Sequence, residues 1–466
     1  MLQSASTCRA ANRSLTPVRR VNDWYHVTLG PKSTLIVQRA YLDRRALPSG
    51  QYRIRIFGSI LSEGKFSAEK IPLFCRIPGF DASGDSDTRI PGFGASGDSD
   101  GRIPGFDGCD DERTVRAFMY AERRIKMKVR QARFHHVMIT CFFTSTSSTS
   151  DAPVAVQVLP GRDDYADYAL PVHRPPTKQV VRYGMCVPVL YGSISDAEAG
   201  RLIEWVELHR MFGVSEFHLY NITLRDVSPR FMAVVDFYQK KNVIKWHVVS
   251  PPVDAALITK QSLYDVSKGL DGAVLNQCFA DNMFRFRYTL SVDLDEILVP
   301  RNARTYAAML HKLHRDMDLQ PKDIVSYVVP FAYFYLDFPP GGKRVNYSTS
   351  LTFTRRLKPS YDTRVKSITL SSRCAYTYFH YCDVKVSHHA DLDHARAVYY
   401  VEPGVALVHH YRRSCASRRR HNEWGRQWRR RQCKALLDST VVDSYVSKFA
   451  RTLTSRVQPI REQLHV

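Results

Sequence analysis

Three carboxylates fall within four residues, Asp293, Asp295 and Glu296. They close an apolar, β-prone run from Tyr288 to Val292 and precede a second run ending at Pro300. This is the pattern of a buried strand that delivers acidic groups to its own exit. Carboxylates beside a core are costly unless something pairs with them. A divalent cation is the usual partner of Asp-x-Asp, because hard cations take oxygen ligands. Mg2+ and Mn2+ also bridge phosphate oxygens, so such a site suits a nucleotide diphosphate. A solvated strand end is the competing reading of so short a motif, and the surrounding elements decide between them.

From residue 180 the chain alternates strand and helix. Met185 to Tyr191 reads as an apolar strand ending at Gly192. Ser195 offers an N-cap, and Leu202, Trp205, Val206, Leu208, His209 and Phe212 recur near the helical period until Gly213 stops them. A short strand, Phe217 to Tyr220, follows. A second helix is predicted over about 228–240, with Ser228 as cap and Pro229 in its first turn. The strand Val243 to Val249 and a third helix over about 273–287 lead into the acidic strand. Such alternation predicts an α/β, mostly parallel sheet with helices on both faces. Ligands bind such sheets beyond the carboxyl ends of the strands. Asp293, Asp295 and Glu296 lie at one of those ends.

The amino-terminal part has a different character. After a flexible stretch at 1–20, residues 21–150 read as a smaller β-rich domain, with strands at Ser33 to Gln38 and Tyr52 to Phe57. A segment of Gly, Asp, Ser and Pro starting at Arg76 recurs from Arg89 and begins again at Arg102. So few short copies cannot stack into a solenoid. Residues 76–111 therefore read as a disordered acidic insertion in a surface loop. Residues 151–179 read as a linker to the domain at 180–466.

The chain has 466 residues, 44% of them apolar and 11% aromatic, enough for a sizeable core. Its formal charge of +22 favours anionic partners: nucleic acid, a membrane surface or phosphorylated small molecules. The ten cysteines are not spaced as Cys-x-x-Cys, which argues against a zinc ribbon. Cys374 and Cys382 read as a disulfide or buried thiols. Three glycosylation acceptor patterns begin at Asn12, Asn221 and Asn346. No run of about 18 apolar residues occurs, and the first 20 residues lack a signal-peptide core. The expectation is a soluble chain, or an amino end without its targeting segment.

Five blocks then occur in order. They are Cys186-Val187-Pro188-Val189-Leu190-Tyr191-Gly192, Glu204 through Val214, Asn276-Gln277-Cys278, Asp293 through Pro300, and His409-His410-Tyr411-Arg412. Over roughly residues 180–450 the chain resembles glycosyltransferase family 92, the former domain of unknown function 23. The stretch Gln38 to Arg45 also resembles that family's strand-rich leader. The resemblance implies a GT-A-like, Rossmann-like fold and an inverting, Mn2+-dependent transferase. It implies transfer of galactose, or another hexose, from UDP-galactose or a similar nucleotide sugar to a glycan or glycoprotein acceptor. It also implies Golgi or secretory-pathway residence with membrane association. The chain departs from the pattern by lacking an anchor, by the repeat at 76–111, and by Gln277 where an Asp often stands.

On this reading Asp295 is a direct metal ligand, and Asp293 serves the metal or the nucleotide ribose. His410 closes the metal site, with His409 as fallback. A bound cation neutralises charge building on the departing diphosphate, and so lowers the barrier. Glu296 is the candidate general base, with Asp337, Asp391 and Asp393 as alternatives. Arg285, Arg287 and Lys366 are candidate diphosphate contacts. A rival reading rests on ten Lys and Arg between Arg412 and Lys434, interleaved with Trp424 and Trp428. Basic clusters with aromatics can bind nucleic acid. The two tryptophans, four apart, fit better a helix docked on the core, so the preferred reading has no nucleic-acid partner. A third possibility is an inactive relative that binds glycans.

Overall fold

The computed structural model describes residues 15–45, 51–63, 71–77, 114–121, 127–129, 132–144, 153–190, 194–222, 227–252, 260–317, 320, 323–358, 361–378, 380–384, 397–415 and 433–466. The chain divides into two compact units, Met1–Pro175 with Ser250–Asp281, and Pro176–Val249 with Asn282–Val466. The repeat from residue 78 onward, Trp424 and Trp428 lie outside the described residues.

The first unit is the expected β-rich one. Its strands are β1 (Val18–Val21), β2 (Trp24–Gly30), β3 (Ser33–Asp43), β4 (Gln51–Glu63), β5 (Phe74–Arg76), β6 (Thr114–Arg116), β7 (Phe118–Ala121), β8 (Met127–Val129), β9 (Ala132–Thr144), β10 (Ala155–Leu159) and β11 (Leu170–His173). The sheet runs β6-β5-β10-β11-β3-β4-β9-β7. Its centre is the long antiparallel pairing of β4 with β9 and β3 with β4. Leu35, Val37, Ile54, Ile56, Val137 and Ile139 fill its core, and a Cys75–Cys141 disulfide joins β5 to β9. Two expectations are corrected here. β1 starts inside the stretch taken as flexible, and β10 and β11 occupy the stretch taken as linker. β11 is only Leu-Pro-Val-His, too short for alternation to show.

The second unit carries the α/β domain. It opens with β12 (Val181–Leu190), α1 (Asp196–Phe212), β13 (Glu216–Asn221), α2 (Pro229–Lys240) and β14 (Ile244–Val248). Helix α1 begins where the sequence placed it. Glu198 reaches back to the Ser195 backbone N–H at 3.0 Å, and Gly213 ends it at φ 116°, a conformation that favours glycine. Ser228 caps α2 by accepting from Phe231 N at 3.3 Å, with Pro229 at its first position. The chain then contributes α3 (Lys260–Asp281) to the first unit. Gly269 and Ser59 meet there at 2.5 Å, carbonyl to hydroxyl. A side chain at Gly269 would collide with the Phe134 ring. The third helix was expected over 273–287. It ends at Asp281 because Arg285 and Arg287 already lead into and belong to the next strand.

The remaining elements are β15 (Phe286–Ser291), β16 (Glu296–Pro300), α4 (Tyr306–Asp316), β17 (Ser326–Tyr335), α5 (Thr349–Thr352), β18 (Arg355–Leu357), β19 (Tyr361–Leu370), β20 (Val398–Tyr400), β21 (Ala406–Arg412), β22 (Thr440–Val442) and α6 (Ala450–Leu464). The sheet runs β14-β13-β12-β15-β19-β17-β18-β22. The first four strands are mutually parallel, and β19 then enters antiparallel between β15 and β17. The α/β class holds, with the parallel character concentrated in the leading half. Met185, Leu202, Trp205, Phe217, Leu290, Leu298 and Tyr327 belong to one buried core.

Candidate active site

The turn between β15 and β16 holds Asp293 and Asp295, Glu296 opens β16, and four other elements aim side chains at this cluster. Antiparallel pairing sets Ser291 opposite Ser367, which brings Lys366 of β19 to the strand exit. β21 pairs Glu296 with His410. β17, parallel to β21, sets Tyr333 beside His410. Helix α1 supplies Trp205, whose indole N–H donates to the Asp293 carbonyl at 3.2 Å and the Glu296 carbonyl at 2.7 Å. The turn closes on itself: Glu296 N donates to Asp293 O at 3.0 Å, and Asp293 N donates to Glu296 Oε2 at 3.0 Å. Tyr411 N donates to Asp295 O at 2.8 Å. The backbone of the motif is therefore fixed from three sides.

The side chains form a chain of ion pairs. Lys366 Nζ lies 3.0 Å from Asp293 Oδ2 and 3.0 Å from Glu296 Oε2. His410 places Nδ1 3.2 Å from Glu296 Oε1 and Nε2 3.3 Å from Asp295 Oδ2. Lys366 and Glu296 are buried, whereas Asp293 and Asp295 are about half exposed, at 45% and 52%. Burial by itself would lower the Lys366 ammonium, but Asp293 and Glu296 override it and hold it above its ordinary value. Burial raises the Glu296 carboxyl; the charges of Asp293 and Asp295 push the same way, and Lys366 and His410 oppose them.

The outward groups fit a divalent cation. Asp295 offers an exposed carboxylate oxygen and His410 an imidazole nitrogen 3.3 Å away. Mn2+ accepts both donor types, and Mg2+-like ions take few protein ligands when substrate phosphates complete the shell. Asp293 instead turns its carboxylate to Lys366. Among the described residues, Asp337, Cys415 and Cys433 bring three ligand atoms within 4.8 Å of one another. That grouping is no metal site, because Cys415 and Cys433 are bonded to each other.

The structure thus brings together Asp293, Asp295, Glu296, Lys366 and His410, and leaves out others. Arg285 precedes β15, six strand residues or about 20 Å from the motif. It forms a two-armed pair with Glu216, at 2.5 Å for NH2 to Oε2. The expected diphosphate contact is therefore corrected to a structural ion pair. Arg287, on the same strand start, lies over Tyr288. His409 is fully buried against Phe334, with ring centroids 4.4 Å apart, and burial lowers it to about 3. Strand alternation sends it away from His410. Asp337 accepts from Ser414 Oγ and Cys415 N, and Asp391 and Asp393 lie outside the described residues. Glu296 has both oxygens engaged and is 4% exposed. That geometry makes it a positioning residue rather than the expected general base.

Sequence reasoning missed three members of the site. Arg412 donates from Nε to His410 Nε2 at 3.4 Å and lies 5.0 Å over the Tyr333 ring. Tyr333 lies 5.2 Å from the His410 ring, and Trp205 holds the Asp293 and Glu296 carbonyls. The only signal for Arg412 was its place two residues beyond His410, on the same strand face.

The sequence pattern of glycosyltransferase family 92 matches residues 181–453. No curated protein matches the chain. Among solved structures the chain is similar to S. aureus TarS, with 13% identity over 50% of this chain and 37% of that one and a TM-score of 0.24. It is similar to GalNAc-T7 with UDP, GalNAc and Mn2+, at 12% identity over 53% and 46%, TM-score 0.25. It is also similar to glucosyl-3-phosphoglycerate synthase from Mycobacterium tuberculosis in complex with Mn2+, UDP-glucose and phosphoglyceric acid, at 12% identity over 59% and 80%, TM-score 0.22. At TM-scores this low the likeness carries no functional weight.

Proposed function

The chain belongs to glycosyltransferase family 92, and from that membership we propose that the carboxylate turn is the donor site of a metal-dependent transferase. It moves a hexose, galactose in the first instance, from a UDP-sugar to a hydroxyl of a glycan or glycoprotein. One observation carries this reading: a half-exposed Asp295 stands 3.3 Å from the buried His410 at the carboxyl end of a strand, backed by the buried Lys366. Asp295 and His410 would hold Mn2+, with Asp293 beside them and within reach of the ribose. Bound there, the cation supplies charge neutralisation to the departing diphosphate.

This chain's own residues do the rest. Arg412, exposed beside His410, takes the diphosphate-contacting role first expected of Arg285. Lys366 holds the Asp293 carboxylate in place at 3.0 Å, and Glu296 orients Lys366 and the His410 ring. Tyr333 offers a flat face next to the cation site for a sugar or base. Inversion, which the family resemblance implies, is a single displacement. The acceptor oxygen attacks the anomeric carbon opposite the diphosphate. The bond to the β-phosphate oxygen breaks with its electron pair, and the acceptor hydroxyl proton leaves to a base.

Disulfides join Cys75 to Cys141, Cys374 to Cys382 and Cys415 to Cys433. Such bonds persist in oxidising compartments, which supports a secretory-pathway or Golgi lumen. Among the described residues no helix is long and apolar enough to cross a membrane.

A panel of UDP-sugars assayed with and without Mn2+ tests the proposal. Transfer should require the cation, and Asp295→Ala should abolish it. Wild-type turnover by that variant, or turnover of no donor by the wild type, would overturn the reading.

A further inference from the structure

A cavity of about 290 Å3 lies beside α1, and none of the carboxylate-turn residues lines it. Its size is at the small end of ligand pockets. Four guanidiniums reach its wall, Arg201, Arg230, Arg344 and Arg461, against two carboxylate side chains, Asp196 and Glu204, and the main-chain carboxylate of Val466. All three are already engaged. Glu204, buried, accepts from Ser348 Oγ at 2.5 Å, Thr349 N at 2.8 Å, Ser350 N at 2.9 Å and Ser350 Oγ at 2.6 Å. Asp196 accepts from the Ser228 hydroxyl and from Arg230 at 3.1 Å. Arg461 donates to the Tyr347 carbonyl at 3.1 Å and to a main-chain carboxylate oxygen of Val466 at 2.9 Å. Two cations are left over. Arg201 has its carboxylate contact with Glu198 only at 3.9 Å. Arg344 is exposed and forms no ion pair among the described residues.

We propose that this cavity binds a tetrahedral oxyanion carried on a sugar, the phosphorylated or sulfated end of a saccharide, with Arg201 and Arg344 as its ligands. The planar, permanently charged guanidinium matches the paired oxygens of phosphate and sulfate. The engaged Glu204 fixes the Ser348–Ser350 backbone, so the wall is formed before any ligand arrives. Tyr347 and Phe353 add aromatic surface to the same wall, against which a sugar ring can pack. The cavity and the carboxylate turn both border helix α1. Glu204 is followed on α1 by Trp205, the residue that holds the Asp293 and Glu296 carbonyls.

Calorimetric titration of the full chain with inorganic sulfate, and then with a hexose 6-sulfate, tests this at fixed ionic strength against chloride. Sulfate should bind saturably and chloride should not. The hexose sulfate should bind more tightly than sulfate alone. The double variant Arg201→Ala with Arg344→Ala should weaken both by about tenfold or more, since each lost charged hydrogen bond is worth that much. Saturating UDP with Mn2+ should leave sulfate binding in place. Equal binding of chloride, unchanged affinity in the double variant, or displacement of sulfate by UDP with Mn2+ would each overturn the site. Equal affinity for sulfate and the hexose sulfate would overturn the saccharide assignment.

Discussion

Lys366 and Glu296 come from different strands, and each is almost completely buried, at 3% and 4% exposure. Each is the other's buried counter-charge, at 3.0 Å. Taking one partner from a buried ion pair costs about 3–5 kcal/mol, because the survivor keeps its desolvation without its compensation. Lys366→Met, similar in volume, should therefore lower unfolding stability by roughly that amount. Glu296→Gln in the same chain should restore part of it, since the orphaned charge is then gone. Urea unfolding midpoints of the single and double variants measure both effects. An unperturbed Lys366→Met would mean the pair is not the clamp described here. At this scale the sequence was legible where residue type was decisive. Asp293, Asp295 and His410 stood out because few side chains bind cations, and the structure gathers them in one cluster of ion pairs. Arg412 could not, because one exposed arginine in a run of ten Lys and Arg looks like the rest.

Among the elements, legibility followed locality. Helix α1 could be bounded from Ser195 and Gly213, which act within a turn of themselves. The choice of His410 over His409 could not, because it depends on the register of β21 against β16 and β17, and a one-residue slip reverses it. The insertion of β19 between β15 and β17, which delivers Lys366, is equally non-local. Arg285 was misassigned for the same reason: proximity in sequence to the motif hid the length of β15. Its actual partner gives a prediction about the sheet's other end. Burial would raise the Glu216 carboxyl, but hydrogen bonds from His218, at 2.8 Å, and Arg285 hold it at about 2. A carboxyl held low in the folded chain stabilises the fold above its unfolded value and loses that contribution as pH falls. For Glu216 the window runs from 4.5 down to about 2, and the group is only 7% exposed. The contribution is on the order of 3 kcal/mol. Wild-type stability should fall by about that much more than that of Glu216→Gln between about pH 5 and pH 2. Equal slopes for the two chains would refute the pairing.

Across the whole molecule, composition pointed to a large core and anionic partners, and the cysteine count left its pairings open. Spacing could not supply them: Cys75 and Cys141 are 66 residues apart and meet only because β5 and β9 enter one sheet. The segment between them contains the repeat, so this bond closes a long loop around a stretch with little apolar content of its own. A cross-link stabilises chiefly by restricting the unfolded chain, and a loop of this length is worth about 4 kcal/mol in the chain-entropy account. Both cysteines are fully buried among Val37, Ile139 and Val158, so replacement by alanine also leaves a small void. Cys75→Ala with Cys141→Ala should therefore unfold the first unit at a lower temperature, with the α/β unit's transition left in place. Calorimetry separates the two, because compact units of one chain need not melt together. A single unshifted transition would show that the bond contributes nothing to the fold. Dithiothreitol added to the wild type should lower the first transition in the same direction, as loss of the same cross-link requires.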